Sequence, residues 1–314
     1  MDSLGSIHMS LKNLKKDAGA ATSIIVIVLI VVLMVSASSV AVLLYSGSQT
    51  NEGPSSQQVV AGDTIEVDYI GRLADGRVFD TSIWSVASNN ALYPKSLSFT
   101  ERPESQYTPL SFTVGAGLVI TGFDQGVLGM VVGQTKVIEV SPSEGYGEMN
   151  TSKLFTADLI DSQPVYVSMN ASVFSSQYSS IPQIGATVKD PLYGWDVNVI
   201  SFDQQADLVV VRNMPQLGQS YAVYGDPTAA KPTGWFAEVI SVDSSANGGT
   251  GVIQVQNLLT DSDAGMIQGV STSNGSTFIV DQVDEAAGTY RMNYNNELVG
   301  VPLYFTVTLI KIGS

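Results

Sequence analysis

Two stretches, GRLADGRVFDTS (Gly71–Ser82) and GLVITGFDQGVLGMVVGQTKVIEVSPSEGYGE (Gly117–Glu148), decide the fold. Both place glycines at turn positions with aromatics between them, and the first sets one carboxylate, Asp80, directly after Phe79. Around them run TIEVDYIG, LSFTVG, TKVIEVS and, at the far end, PLYFTVTLIKI. Each alternates apolar and other residues and is bounded by Gly or Pro, the pattern of a strand with one buried face. The single short helix expected here runs from Phe123 to about Leu128. An α+β fold follows: an antiparallel sheet around one small helix.

The segment from Ala18 to Thr50 carries no charge, and SIIVIVLIVVLMVSASSVAVLLY (Ser23–Tyr45) is apolar nearly throughout. That length suffices to cross a bilayer, which needs about 20 apolar residues. Lys12, Lys15 and Lys16 precede it and Glu52 is the first charge beyond, so the positive-inside rule places the N-terminus in the cytoplasm. The expectation is a cytoplasmic stretch over 1–22, a transmembrane helix over 23–45 and a Gly/Ser-rich linker over 46–58. The rest of the chain then lies outside the cell membrane, held by a single pass. Beyond the anchor there are 11 basic and 27 acidic residues and no cysteine. Such a surface repels nucleic acid, and the exterior domains must be stable without disulfides. Sequons at Asn150, Asn170 and Asn274 fit export.

Between about Asn150 and Tyr290 the texture changes to Ser, Gln, Asn and Gly with long β-branched runs. VISFDQQADLVVVRN (Val199–Asn213) and VISVDSSANGGTGVIQVQN (Val239–Asn257) share a pattern, and a fainter third copy, VDQVDEAAGTYRMNYN, starts at Val280. Each copy reads as a β-hairpin whose Asp closes the first strand, repeated at the spacing of repeat proteins. Residues 150–290 are therefore expected to be a large all-β domain inserted into a host domain formed by 59–149 and 291–314.

The chemistry open to the exterior part is narrow. His8 is the chain's one histidine and precedes the anchor, so no Ser-His-Asp or Cys-His arrangement can form there, and the usual zinc ligands are missing. No metal site and no cofactor is expected. Asp124, Glu144 and Glu148 show no spacing that pairs them for glycoside chemistry. A reaction without proton transfer or covalent step fits this inventory. Rotation about the bond before proline is one: its barrier of ~18–20 kcal/mol comes from amide resonance. An apolar aromatic cage with a few fixed hydrogen bonds favours the twisted amide over the planar one, and only such differential binding lowers the barrier.

VDYIGRLADGRVFDTS, the Gly117–Glu148 stretch and NNELVGVPLYFTVTLIKI resemble the FKBP-type peptidyl-prolyl isomerases. An interruption after the Tyr146–Gly147 pair and before the last strand is similar to the SlyD-like branch, whose inserted flap binds unfolded chains; Pro182–Gln219 resembles that flap. The resemblance implies a pocket in which Phe79 is a cage wall, Asp80 the carboxylate near the rotating amide and Tyr146 a hydrogen-bond donor to substrate. It assigns Tyr69, Val119 and Ile120 to the lining, with the Ile120 backbone N–H open to a substrate carbonyl. Phe123 is the floor, where the best-known relatives carry Trp, and Phe305 closes the base. Asn296 stands where relatives often have histidine. The partners implied are proline-containing unfolded or nascent exported polypeptides. The rival reading is a surface-binding protein with this fold as scaffold. The long connection Ile83–Thr108 is expected either as a lid over the cage or as a loop packed on the sheet.

Overall fold

The computed structural model describes residues 57–313. The expected cytoplasmic stretch, the transmembrane helix over 23–45 and most of the linker lie outside the described residues. Among the described residues no helix is long and apolar enough to cross a membrane. The last two residues expected in the linker begin the fold instead: Gln58 bridges to Val131, and the Val59 N–H donates to the Met130 carbonyl at 2.9 Å.

Strand β1 (Thr64–Arg72) opens the sheet, burying Ile65 and Val67 at alternate positions. Along one edge it pairs antiparallel with β3 (Leu110–Thr113) over its first half and with β2 (Val78–Thr81) over its second. Both β2 and the short helix α1 (Trp84–Ala87) escape a period-based reading, being only four residues long. Helix α2 (Thr121–Gly126) precedes β4 (Thr135–Val140). It starts two residues before the expected Phe123, because the extended Ile120 offers its carbonyl to the Phe123 and Asp124 N–H groups, both at 3.0 Å. Gly122 and Gly126, four apart on one helix face, let α2 lie directly on β4. A Cβ at Gly122 would stand 2.7 Å from the Val140 side chain, and one at Gly126 only 2.3 Å from Ile138.

The chain then leaves the sheet and builds three four-stranded sheets. Strands β5 (Leu154–Asp158), β6 (Ile160–Gln163) and β7 (Tyr166–Met169) come first, followed by the eight-residue helix α3 (Ala171–Tyr178) in a region otherwise built largely of strands. Three units follow, each a short outer strand and a hairpin. They are β8 (Thr187–Lys189) with β9 (Asp196–Asp203) and β10 (Leu208–Met214); β11 (Ser220–Val223) with β12 (Trp235–Asp243) and β13 (Val252–Asn257); and β14 (Ile267–Val270) with β15 (Thr277–Asp284) and β16 (Thr289–Asn293). Strands β7, β6 and β5 complete the sheets in reverse order. Strand β16 carries this region to Asn293, three residues beyond the expected boundary at 290.

The repeat is visible atom by atom. The first hairpin strand bulges at Ile200, Ile240 and Asp281, the residues its partner strand skips. Asp203, Asp243 and Asp284 each accept a backbone N–H of the following turn, as the sequence implied. Trp195 and Trp235 donate their indole N–H to the side chains of Asn213 and Asn257 at 3.1 and 2.8 Å. Those asparagines are buried and donate in turn to the Pro164 and Leu159 carbonyls. The third unit has Tyr294 at the asparagine place, its backbone N–H donating to Lys153 as Asn213 and Asn257 donate to Val165 and Leu159. The first two copies share this indole–amide pair and the third lacks it, which is why the third is faint in sequence. One hydrophobic core joins all three sheets.

Strand β17 (Leu303–Gly313) returns to the first sheet between β1 and β4. Leu303, Phe305, Val307 and Leu309 alternate into a second core, each burial stabilising by roughly 1.5–3 kcal/mol. Where the chain leaves and re-enters, Asn150 and Asn295 exchange hydrogen bonds at 3.2 and 3.0 Å. Arg77 clasps the three parts together. Its guanidinium meets Asp75 at 2.7 Å and Glu297 at 3.4 Å, and donates to the Gly265 carbonyl at 2.7 Å. Glu297 also accepts from the Leu97 and Ser98 N–H groups.

The close seating of α2 on β4 makes Gly126→Ala an overpacking change. It is expected to destabilise the chain by about 1–3 kcal/mol, read as a lower thermal midpoint, whereas Gly129→Asn, at a positive φ with open space around it, stays much closer to the parent.

Candidate active site

The site draws on strands β1, β2 and β17 and on the segments around α2 and after β4. Strand β1 supplies Tyr69, β2 supplies Phe79 and Asp80, and the turn into α2 supplies Val119, Ile120 and then Phe123. Phe305 arrives on β17, and Tyr146 follows the turn after β4. All eight residues expected from the sequence line one open cavity of about 380 Å³, together with Leu110 and Leu118. Those two were not anticipated, although Leu118 stands within the GLVI motif. The volume falls in the range of small-ligand clefts.

Phe305 is the centre of the apolar wall. Its ring meets Phe79 at 5.4 Å and 90°, Phe123 at 5.0 Å and 76°, and Tyr69 at 6.4 Å. Tyr69 also meets Phe123 edge-on at 6.0 Å. Three of these contacts are edge-to-face, the arrangement aromatic quadrupoles prefer, and the Tyr69–Phe305 pair is tilted at 52°. Gly71 makes the packing possible: a Cβ there would stand 2.6 Å from the Phe79 ring. Phe79, Phe123 and Phe305 are buried, while Tyr146 is half exposed at the rim.

Polar groups sit on one side of this wall. The Tyr69 hydroxyl donates to Asp80 Oδ2 at 2.5 Å, and Asp80 Oδ1 accepts from the Thr81 N–H at 2.9 Å and from Arg102 Nη2 at 3.1 Å. Sequence reasoning missed Arg102, because its position in a long connection carries no periodic signal. It is pinned from several directions. The guanidinium donates to the Thr81 carbonyl at 2.7 Å and lies over the Tyr107 ring at 4.9 Å, while its backbone N–H donates to the Tyr107 hydroxyl at 3.0 Å. Both charges of the Asp80–Arg102 pair are more than a third exposed, so the pair contributes at most about 1 kcal/mol to stability. Its effect is orientation. With three donors on it, Asp80 is an acceptor that aims the Tyr69 hydroxyl.

Burial, and then the charge and hydrogen bond of Asp80, push the Tyr69 phenol well above its ordinary range. Burial and Asp80 push Tyr146 upward too. The backbone N–H of Ile120 has no acceptor among the described residues, while its carbonyl is held by α2. The connection from Ile83 to Thr108 packs along β2, with Val78 N–H donating to Pro94 and Ser96 N–H to Val78. None of its residues lines the cavity, so it is a packed loop and not a lid. No cluster of metal-ligating side chains occurs among the described residues.

Comparison with known proteins bears on this geometry. Residues 55–161 match the family model described as FKBP-type peptidyl-prolyl cis-trans isomerase. The chain is 44% identical over 86 residues to the short-type peptidyl-prolyl cis-trans isomerase of Methanocaldococcus jannaschii, covering 27% of this chain and 49% of that one. It is 31% identical over 117 residues to FK506-binding protein 1A of Neurospora crassa, covering 35% of this chain and 80% of the relative. A solved structure, AtFKBP13, shares 27% identity over 32% of this chain and 68% of its own, with a TM-score of 0.22. The chain spans about half the length of some curated relatives, 49% of the Methanocaldococcus protein and 57% of FK506-binding protein 2 from Yarrowia lipolytica. On the match to the Neurospora protein, most of whose length is covered, the chain belongs to the FKBP-type peptidyl-prolyl cis-trans isomerase family.

Proposed function

We propose that this chain accelerates cis–trans exchange of X–Pro bonds in exported polypeptides from a single-pass anchor over Ser23–Tyr45, with its host domain outside the membrane. The observation that carries the reading is the joint placement of eight residues around one cavity, aromatic on its floor and polar on one side. Proline enters over Phe123 and Phe305, with Phe79 and Tyr69 as walls and Val119 beside it. The Ile120 N–H holds a substrate carbonyl, and Tyr146 donates from the rim. Asp80 faces the rotating amide with its charge tied by Tyr69 and Arg102. Twisting the amide lowers its charge separation, so an apolar cage disfavours the planar ground state relative to the transition state.

In the same reading the inserted region is a SlyD-like holding domain for unfolded clients. Exposed aliphatic side chains on it, Ile181, Ile184 and Leu217, each at least 69% accessible, support contact with apolar chain segments.

The test is exchange spectroscopy of short X–Pro peptides with the full chain. The parent is expected to raise the exchange rate, and Phe79→Ala and Asp80→Ala each to lose at least about tenfold, equivalent to ~1.4 kcal/mol of barrier. A parent inactive across several X residues makes the cage a scaffold. The pH profile is a second check. Because both cage phenols titrate above the ordinary tyrosine range, they stay protonated and able to donate as pH rises. The rate constant per enzyme is therefore expected to be flat from pH 6 to about 9, and a fall centred near 7 contradicts a cage whose phenols stay protonated donors.

A further inference from the structure

A second cavity, of about 350 Å³, lies in the inserted region where its three repeated units converge. Its lining follows the repeat. The first residue after each outer strand, Asp190 after β8, Tyr224 after β11 and Ser271 after β14, lines it, each followed there by its next neighbour: Pro191, Gly225 and Thr272. Equivalent backbone positions thus place an aspartate, a tyrosine and a serine around one space, with the Tyr224 ring turned onto the core. Each loop also carries a closing backbone bond: Gly194 N–H to Asp190 O, Thr233 N–H to Asp226 O and Gly275 N–H to Ser271 O.

Asp190 is the group that requires explanation. Its Oδ1 accepts the Leu192 and Tyr193 N–H groups at 2.9 and 2.7 Å. Its Oδ2 has no donor among the described residues. Burial raises its carboxyl from the ordinary range, against the opposing pull of the Tyr193 and Leu192 N–H groups. The neighbouring Lys189 is committed elsewhere, 2.8 Å from Asp196. Ser271 and Thr272 line the same cavity, the Ser271 hydroxyl sharing a hydrogen bond with that of Ser273 at 2.9 Å. Tyr224 is held at φ 57°, in the left-handed region, with its ring against Trp235 and Phe278 at 4.8 and 5.3 Å. A non-glycine residue in that conformation carries strain, which tends to concentrate at ligand sites. Residues 150–293 hold 14 acidic against 5 basic side chains, a field that draws cations inward.

We propose that this cavity binds a cationic nitrogen group, a primary ammonium or a guanidinium, carried by a basic side chain of a polypeptide or by a small amine. The free oxygen of Asp190 takes the charge, the hydroxyls of Ser271 and Thr272 accept further N–H donors, and Leu192, Pro191 and Val270 receive the aliphatic stem. The site is separate from the aromatic cage and does not rest on the isomerase reading.

The test is an amide chemical-shift titration of the full chain with n-butylammonium, and with n-butanol as neutral control. Saturable shifts confined to the loops at 190–194, 224–234 and 271–275 are expected with the ammonium and absent with the alcohol. Asp190→Asn keeps an Oδ1 acceptor for the turn, so its thermal midpoint should stay near the parent's while affinity falls by about tenfold or more. Thr272→Val is expected to weaken binding less. A short lysine-containing peptide that binds more tightly than butylammonium identifies a polypeptide side chain as the source of the cation; equal affinity identifies a free amine. The proposal is overturned if no saturable shift occurs, if butanol binds as well, or if a folded Asp190→Asn binds like the parent.

Discussion

The host domain depends on one pairing: the last strand, β17, lying between β1 and β4. Its register with β1 runs from Thr64 opposite Gly313 to Arg72 opposite Tyr304, and its buried side chains form the middle of the core. A strand added last in sequence but central in space obliges everything between to close compactly. The inserted region meets that demand by returning its last strand, β16, to pair with its first, β5, so exit and re-entry lie side by side at Asn150 and Asn295. Arg77 then ties the β1–β2 turn to both the insert and the re-entering chain. That turn stands two residues before Phe79, so the seat of the insert and the wall of the cage share a short piece of backbone.

The site inherits its rigidity from the same strand. Phe305 touches three of the other aromatic residues, and without β17 the cavity has no base. The polar side is built independently: Tyr69 and Asp80 come from neighbouring strands, and Arg102 reaches in from the connection that packs along β2. An apolar floor fixed by edge-to-face rings and a polar rim fixed by charge-assisted hydrogen bonds together make an anisotropic pocket. A group that changes its charge separation on rotation experiences that anisotropy directly.

Much of this was legible in the residues. Alternation gave β1, β3, β4 and β17, because each has one clean buried face. The eight expected residues that line the cavity were legible as a set because they lie in the motifs that carry the family resemblance. Strand β2 and helix α1 were not, being too short for a period to register. The start of α2 was misplaced because its N-terminal residue, Ile120, has an apolar side chain and caps through its backbone alone. Arg102 left no local signal, since its role depends on a fold that brings a long connection back to Asp80. In the insert the hairpins were readable from their aspartates and Val runs. The three-sheet closure was not, because β5, β6 and β7 pair with strands far along the chain, and the substitution of the Trp–Asn pair in the third unit hides its kinship.

Native-state hydrogen exchange across β1 and β17, followed through increasing denaturant, tests the dependence on strand closure most directly. If the returning strand is integral to the host sheet, the amides of Phe305 and Val307 exchange with the same opening free energy as those of Ile65 and Val67, merging into one cooperative unit. If β17 amides open at a distinctly lower free energy while β1 stays protected, the sheet stands without its last strand, and the cage is not built as described.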